Sequence, residues 1–145
     1  MREVAYNRAL PNAISCVACV TVIAWASAAF GAGSSLPYGG GGNVNRFAAI
    51  VSQYNQTGEP FRIEGHCQSA CTMFLAIKNV CVDRNATLLF HAGNHPYATA
   101  DMLGSYNSKL SSFVTAQHYM DSSELHAISG RDIIEKFGYP ACSGK

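Results

Sequence analysis

An uncharged apolar run near the amino terminus limits how much of this chain can belong to its folded domain. Residues 13–25 carry no charged side chain; Arg2 and Arg8 precede them, and the small residues Ala26-Ser27-Ala28 follow. A cationic start, an apolar run and an A-x-A cleavage pattern are typical of a secretory signal peptide. We therefore predict a signal peptide over residues 1–28, with a second possible cleavage point at Ala32, and a periplasmic or secreted protein.

Cleavage would leave one small domain without a marked charge. About 117 of the 145 residues remain, which is enough for a single domain. Lys plus Arg and Asp plus Glu then balance at eight each, so the basic surface expected of a nucleic-acid-binding domain is missing. If the segment stays uncleaved, the apolar run over residues 13–32 is marginally long enough to anchor the chain in a bilayer. After cleavage we expect no membrane association.

Four cysteines remain after the predicted cleavage. An even number of cysteines in an exported chain favours disulfides, and four cysteines allow three pairings, among which the sequence does not choose. Three of them, Cys67, Cys71 and Cys81, also invite a zinc interpretation together with His66, His91 and His95. Cys67 and Cys71, however, are four positions apart rather than in the C-x₂-C spacing of structural zinc sites. We expect two disulfides, no metal and no cofactor. The cysteines concerned are Cys67, Cys71, Cys81 and Cys142.

The pattern of apolar residues predicts an α/β domain over residues 43–145, preceded by a glycine-rich loop over residues 29–42. Helical periodicity appears in residues 47–54, in residues 102–117 and, ending before Gly138, in residues 131–137. Another turn of helix is predicted to start at residues 121–124, and the apolar residues 70–77 are predicted to form a buried helix. Short strands are predicted over residues 61–65, 80–82 and 87–90, with a turn over residues 66–69. The alternation of helix and strand favours a layered fold with mostly parallel strands.

One serine and one histidine occupy positions where such a fold places reactive groups. Ser69 lies at a predicted strand-to-helix turn, where the free amides at the start of the helix point towards an anion. His91 directly follows the strand over residues 87–90. Ligands of open α/β sheets bind beyond the carboxyl ends of the strands, so the two side chains can meet in one crevice. A histidine is the usual base that activates a serine nucleophile near neutral pH.

Three segments resemble the proteolytic subunit of Clp-type proteases and the wider crotonase-like superfamily, in particular its exported bacterial branch. Gly41-Gly42-Asn43-Val44 resembles the family's Gly-Gly loop before a helix, and residues 65–71 resemble its nucleophile turn. Leu88-Leu89-Phe90-His91 resembles the strand that delivers its catalytic histidine.

The resemblance implies serine-dependent hydrolysis of a peptide or another acyl bond. Ser69 would be the nucleophile and His91 the general base, and the acyl-enzyme would form on Ser69. The oxyanion would be bound by the backbone amide of Ala70 together with a glycine amide of the loop, from Gly41 or Gly42. Losing one such donor typically lowers the rate about 100- to 1,000-fold.

The chain departs from the family pattern in two places. Leu125 stands near the position of the acid that orients the histidine, and among the neighbouring carboxylates we predict Asp121, rather than Glu124, for that role. The family's strands before the Gly-Gly loop have no evident counterpart, which would leave the domain truncated with an open sheet edge. We therefore expect a homo-oligomer or another partner at that edge. The alternative function is a non-catalytic exported domain used for self-association or partner binding.

Overall fold

The structure is a computed structural model that describes residues 32–144, so the predicted signal peptide lies outside it. No helix of the described part is long and apolar enough to cross a bilayer. In chain order, the strands are β1 Gly33–Ser34, β2 Phe61–Ile63, β3 His66–Gln68, β4 Val80–Val82, β5 Thr87–Phe90 and β6 His126–Ser129. The helices are α1 Val44–Thr57, α2 Pro96–Gly104, α3 Ser108–Ala116 and α4 Gly130–Glu135, with 3₁₀ helices at Leu36–Tyr38 and Ser69–Ala76.

The described strands form two three-stranded sheets. One has the order β1-β2-β4 with parallel pairing throughout, and the other has the order β3-β5-β6. In the second sheet β3 and β5 are parallel and β5 and β6 are antiparallel. The chain passes from β2 in one sheet to β3 in the other through Glu64 and Gly65, and Gly65 has a φ of +65°. The predicted α/β class with mostly parallel strands is confirmed.

The segment before Ser69 is a strand, although its sequence predicts a turn. β3 pairs with β5 in the register His66 to Thr87 and Gln68 to Leu89. Only the middle residue of β3 is fully buried, so its polar neighbours obscure the strand pattern. The predicted helix over residues 70–77 is found as the 3₁₀ helix Ser69–Ala76, with six consecutive buried residues.

Residues before the glycines are more ordered than the sequence predicts. The expected loop over residues 29–42 contains β1 and a 3₁₀ helix, so a short strand does precede the glycines. Backbone pairing continues past β1, because the amide of Ser35 donates to the carbonyl of Arg62 at 2.9 Å. The buried Ser35 hydroxyl donates to the carbonyl of Glu64 and accepts from its amide, both at 2.9 Å. In the described part, β1 therefore covers one edge of β2.

The carboxyl-terminal half differs from the predicted helical pattern in two places. The stripe over residues 102–117 is divided between α2 and α3, because the Asn107 side chain caps α3 by accepting from the amide of Leu110. No helix begins at residues 121–124; the chain instead leads into β6, which sequence reasoning did not anticipate. The last predicted helix is found as α4, and Gly138 after it has a φ of +79°.

The core joins the two sheets to α1 and the 3₁₀ helix Ser69–Ala76. Phe47 of α1, Phe61 of β2 and Phe74 of the 3₁₀ helix are almost fully buried. The ring of Phe74 lies 5.1 Å from that of Phe47 and 4.6 Å from that of Phe61, between centroids. Tyr38, just before the glycines, packs edge-on against Phe74 at 5.4 Å. These contacts hold the glycine-rich loop beside the start of the 3₁₀ helix.

The four described cysteines form two disulfides, which confirms that prediction and settles the pairing. Cys67 is bonded to Cys71, and Cys81 is bonded to Cys142. The second disulfide attaches the carboxyl-terminal segment to β4, where the amide of Cys142 also donates to the carbonyl of Val82 at 3.0 Å. Together the two disulfides include every cysteine of the described part.

Candidate active site

Ser69 occupies a strained position between β3 and a helix. Its φ is +56°, and His118 is the only other non-glycine residue of the described part with a positive φ. A left-handed conformation costs a residue with a side chain roughly 1 to 3 kcal/mol and persists where the surroundings enforce it. A serine on a sharp, strained strand-to-helix turn is also how some hydrolases expose a nucleophile. The backbone at Ser69 is therefore in a costly conformation that its surroundings must maintain.

A disulfide and a buried hydrogen bond hold that turn in place. The Cys67–Cys71 disulfide spans Ser69, and both of its cysteines are fully buried. On the other side, the buried Thr72 hydroxyl donates to the carbonyl oxygen of Ser69 at 2.7 Å. The Ser69 peptide is thus fixed from both directions.

The glycine-rich loop lies directly against Ser69. The amide of Gln68 donates to the carbonyl of Gly39 at 2.9 Å, which docks the loop at the end of β3. Gly41 has a φ of +72°, and a Cβ added there would stand 2.7 Å from the carbonyl oxygen of Gln68 and 2.8 Å from Cβ of Ser69. Only glycine fits this approach.

The backbone amides near Ser69 differ in what they bind. The amide of Gly41 donates to the carbonyl of Tyr38 at 2.9 Å and so belongs to the loop's own turn. The amides of Gly42 and Ala70 have no acceptor among the described residues. Of the predicted oxyanion donors, Gly42 lines the cavity beside Ser69, whereas Ala70 is fully buried and is not part of that lining. The Gly41 amide is occupied by the loop's own turn.

His91 and Ser69 line the same open cavity of about 590 Å³. His91 is half-buried directly after β5, and its Nδ1 lies 2.6 Å from the carbonyl oxygen of Ala92. A carbonyl only accepts, so Nδ1 carries the proton and Nε2 of the neutral ring is left as the basic nitrogen. No direct hydrogen bond joins Ser69 and His91 in the described part. The cavity is lined by Gly40, Gly42, Asn43, Val44, Asn45, Gln68, Ser69, His91, Gly93, Asn94, His95, Tyr97, Ala98, Asp101 and Met102.

The structure does not bring the predicted acid to His91. Asp121 binds the exposed His118 instead, with 2.7 Å between its Oδ2 and Nδ1 of that histidine. Neither Asp121 nor Glu124 lines the cavity. The last pair of the β5–β6 ladder is Phe90 with His126, and His91 and Leu125 are the residues directly beyond that pair.

Sequence reasoning missed two residues that support Ser69. Thr72 is a single hydroxyl within the apolar residues 70–77, and its Oγ1 also lies 2.7 Å from the hydroxyl of Tyr106. Since Thr72 donates its one proton to Ser69, Tyr106 must donate to Thr72. Burial raises the pKa of Tyr106 well above its usual value, so this phenol stays protonated. The lone threonine in an apolar run was the available signal, whereas Tyr106 is indistinguishable from a core aromatic.

Histidine, cysteine and carboxylate side chains form no cluster suited to a metal ion in the described part. No protein-family model matches the chain, and no curated protein matches it significantly.

Proposed function

We propose that the protein is an exported serine hydrolase of Clp/crotonase-like fold that cleaves a peptide or related acyl bond through Ser69. The observation that carries the proposal is the strained φ of +56° at Ser69, in a cavity shared with His91 and the glycine-rich loop. A buried disulfide and a buried hydroxyl maintain this costly conformation, which an inert turn would not need. Two disulfides support export to an oxidising compartment.

In the proposed reaction His91 is the general base and Ser69 the nucleophile. Nε2 of His91 removes the proton from Oγ of Ser69 as Oγ bonds to the substrate's carbonyl carbon, and the carbonyl oxygen becomes an oxyanion. The free amides of Ala70 and Gly42 donate to that oxygen. Collapse of the intermediate breaks the bond to the leaving group, which takes the proton from His91. Water, deprotonated by His91, then bonds to the acyl carbon, and the ester bond to Ser69 breaks as His91 returns the proton to Oγ and the acid is released.

The carbonyl of Ala92 takes the orienting role that a carboxylate has in a triad. It selects the productive tautomer of His91, because only a protonated Nδ1 can bind it. A neutral acceptor stabilises the imidazolium less than a carboxylate does, so we expect a slow enzyme. Replacing the acid of a triad by an amide selects the wrong histidine tautomer and lowers the rate about 10⁴-fold. Because the Ala92 carbonyl selects the productive tautomer, we expect this protein to be slower than a complete triad by less than that factor.

Labelling with a fluorophosphonate probe tests the proposal directly. The oxidised protein should react covalently, whereas Ser69→Ala should not react and His91→Ala should react at least about 100-fold more slowly. Ser112→Ala removes an exposed serine of α3 and is the matched control, which should label normally. Equal labelling of the unaltered protein and Ser69→Ala would overturn the proposal.

A non-catalytic exported domain is the second candidate, and one observation favours it. No carboxylate of the cavity lining is positioned by a described contact to orient His91, and Asp121 is paired with His118. If the folded, oxidised protein gives no labelling at any pH between 6 and 9, the scaffold serves self-association or partner binding instead.

A further inference from the structure

The cavity beside Ser69 has a marked charge character that bears on its substrate. Among its fifteen lining residues there is no Lys or Arg, and Asp101 is the one Asp or Glu. Asp101 is exposed on α2, and none of the ion pairs of the described part includes it. Asp101 is therefore the one carboxylate that the lining presents to whatever enters the cavity, and no Lys or Arg of the lining offsets its charge.

The remaining polar groups of the cavity suit peptide groups. The side-chain amides of Asn45 and Asn94 make no hydrogen bond among the described residues, and both line the cavity. Each can donate to a carbonyl and accept from an N–H, which is the pattern of a polypeptide backbone. Apolar surface between them comes from Val44 of α1 and Met102 of α2.

We propose that the substrate is a polypeptide segment with a Lys or Arg side chain close to the bond cleaved at Ser69, and that Asp101 recognises this cation. The inference rests on the proposed hydrolase function, which it narrows to a basic substrate. A carboxylate or phosphate near the scissile bond would meet Asp101 with no cation in the lining to bind it. Because Asp101 is solvent-exposed, its contribution is a preference rather than an absolute requirement.

The test separates binding from catalysis by using the full chain with Ser69→Ala. Three pentapeptides, acetylated and amidated at their ends, carry Lys, norleucine or Glu at the centre of an alanine sequence. In titrations followed by ¹⁵N NMR, the Lys peptide should bind about two- to five-fold more tightly than the norleucine peptide, the range of an exposed ion pair. The Glu peptide should bind most weakly, and salt should reduce the differences.

Variants of Asp101 assign the preference to that carboxylate. Asp101→Asn should make the Lys and norleucine peptides equal, and Asp101→Lys should favour the Glu peptide. Glu59→Lys makes the same charge change as Asp101→Lys at a partly exposed position outside the cavity and should leave the preference intact.

Two outcomes overturn the inference: no difference among the peptides, including no binding of any of them, or a preference that persists in Asp101→Asn. Fluorophosphonate labelling of the protein with Ser69 intact reports separately on the hydrolase function. Labelling without a charge preference therefore refutes the basic substrate alone, and a charge preference without labelling refutes the hydrolase.

Discussion

The hydroxyl of Thr72 donates a hydrogen bond of 2.7 Å to the carbonyl oxygen of Ser69. Thr72 is completely buried, and it receives a hydrogen bond in turn from the nearly buried Tyr106. A chain of two hydrogen bonds therefore leads from the core to the residue with the most unusual backbone conformation at the site. The strained backbone of Ser69 is therefore stabilised by Thr72 and Tyr106, neither of which lines the cavity.

Removing the Thr72 hydroxyl should affect both stability and reactivity. Thr72→Val keeps the shape of the side chain but leaves the Ser69 carbonyl and the Tyr106 hydroxyl without their partner, so we expect a loss of about 1 to 3 kcal/mol in the free energy of unfolding. The fluorophosphonate labelling rate should fall at least about ten-fold, because the Ser69 turn relaxes.

Thr72→Ser retains the hydroxyl and is the control for that variant. It should restore the labelling rate even though it leaves out a buried methyl group, whose loss lowers stability by itself. Urea unfolding and labelling kinetics measure the two effects. If the labelling rates of the two variants fall in proportion to their loss of stability, whether or not the hydroxyl is present, Thr72 does not position Ser69.

The two disulfides should rank in opposite order for their effects on stability and on the labelling rate. In the chain-entropy account, closing the short Cys67–Cys71 loop contributes about 2 kcal/mol and closing the long Cys81–Cys142 loop about 4 kcal/mol. Cys81→Ala/Cys142→Ala should therefore destabilise the protein more. Cys67→Ala/Cys71→Ala should lower the labelling rate more, because only that disulfide encloses Ser69.

Thermal unfolding and labelling of both double variants, under conditions where each is folded, check this reversal. Thiol counting on the denatured, non-reduced protein should find none of these four thiols free. Four reactive thiols from the exported protein would contradict the disulfide assignment.

Gly41→Ala should damage the site beyond its cost in backbone strain. The added Cβ would meet the carbonyl oxygen of Gln68 and Cβ of Ser69, so the glycine-rich loop must move away from the turn. We expect a labelling rate at least about ten-fold lower, because the Gly42 amide moves with the loop and an oxyanion donor is lost.

Gly58→Ala is the matched control. Gly58 has nearly the same positive φ, +71°, at the end of α1, and an added Cβ there would meet nothing within 4 Å. It should cost about 1 kcal/mol in stability for the same backbone reason and leave labelling unchanged. Similar labelling of the two variants would mean that the close approach at Gly41 is unimportant for reactivity.

The parts of the site that could be predicted are those that depend on residues close together in the chain. A serine after a short polar segment and before an apolar run places Ser69 at a turn, and the strand over residues 87–90 places His91 at its end. The shared cavity follows from the parallel pairing of β3 with β5. The α/β class and the presence of two disulfides followed in the same way from alternation and from cysteine number.

What the sequence could not supply depends on contacts between distant residues. β6 has only one buried residue, so its pattern is weak, and it exists because it pairs with β5. Asp121 was selected by its place in the chain, but its side chain binds the neighbouring His118. The 34-residue separation between Thr72 and Tyr106 likewise hides their hydrogen bond from any local reading.

Introducing a carboxylate at Leu125 should convert the Ser69–His91 pair into a triad. Phe90 and His126 are the last pair across β5 and β6, so Leu125 and His91 are the two residues directly beyond that pair, and Leu125 is nearly half exposed. Leu125→Asp should raise the labelling rate about ten-fold, within the about 10⁴-fold range that an orienting acid can contribute. The new negative charge favours the imidazolium and raises the pKa of His91. Because labelling needs the neutral ring of His91, the rise of the labelling rate with pH should move to higher pH.

Ala127→Asp is the matched control. It adds the same charge two residues further along β6, opposite Leu89, and should produce neither change. A rate that does not increase in Leu125→Asp, with an unchanged pH profile, would show that this position cannot reach His91.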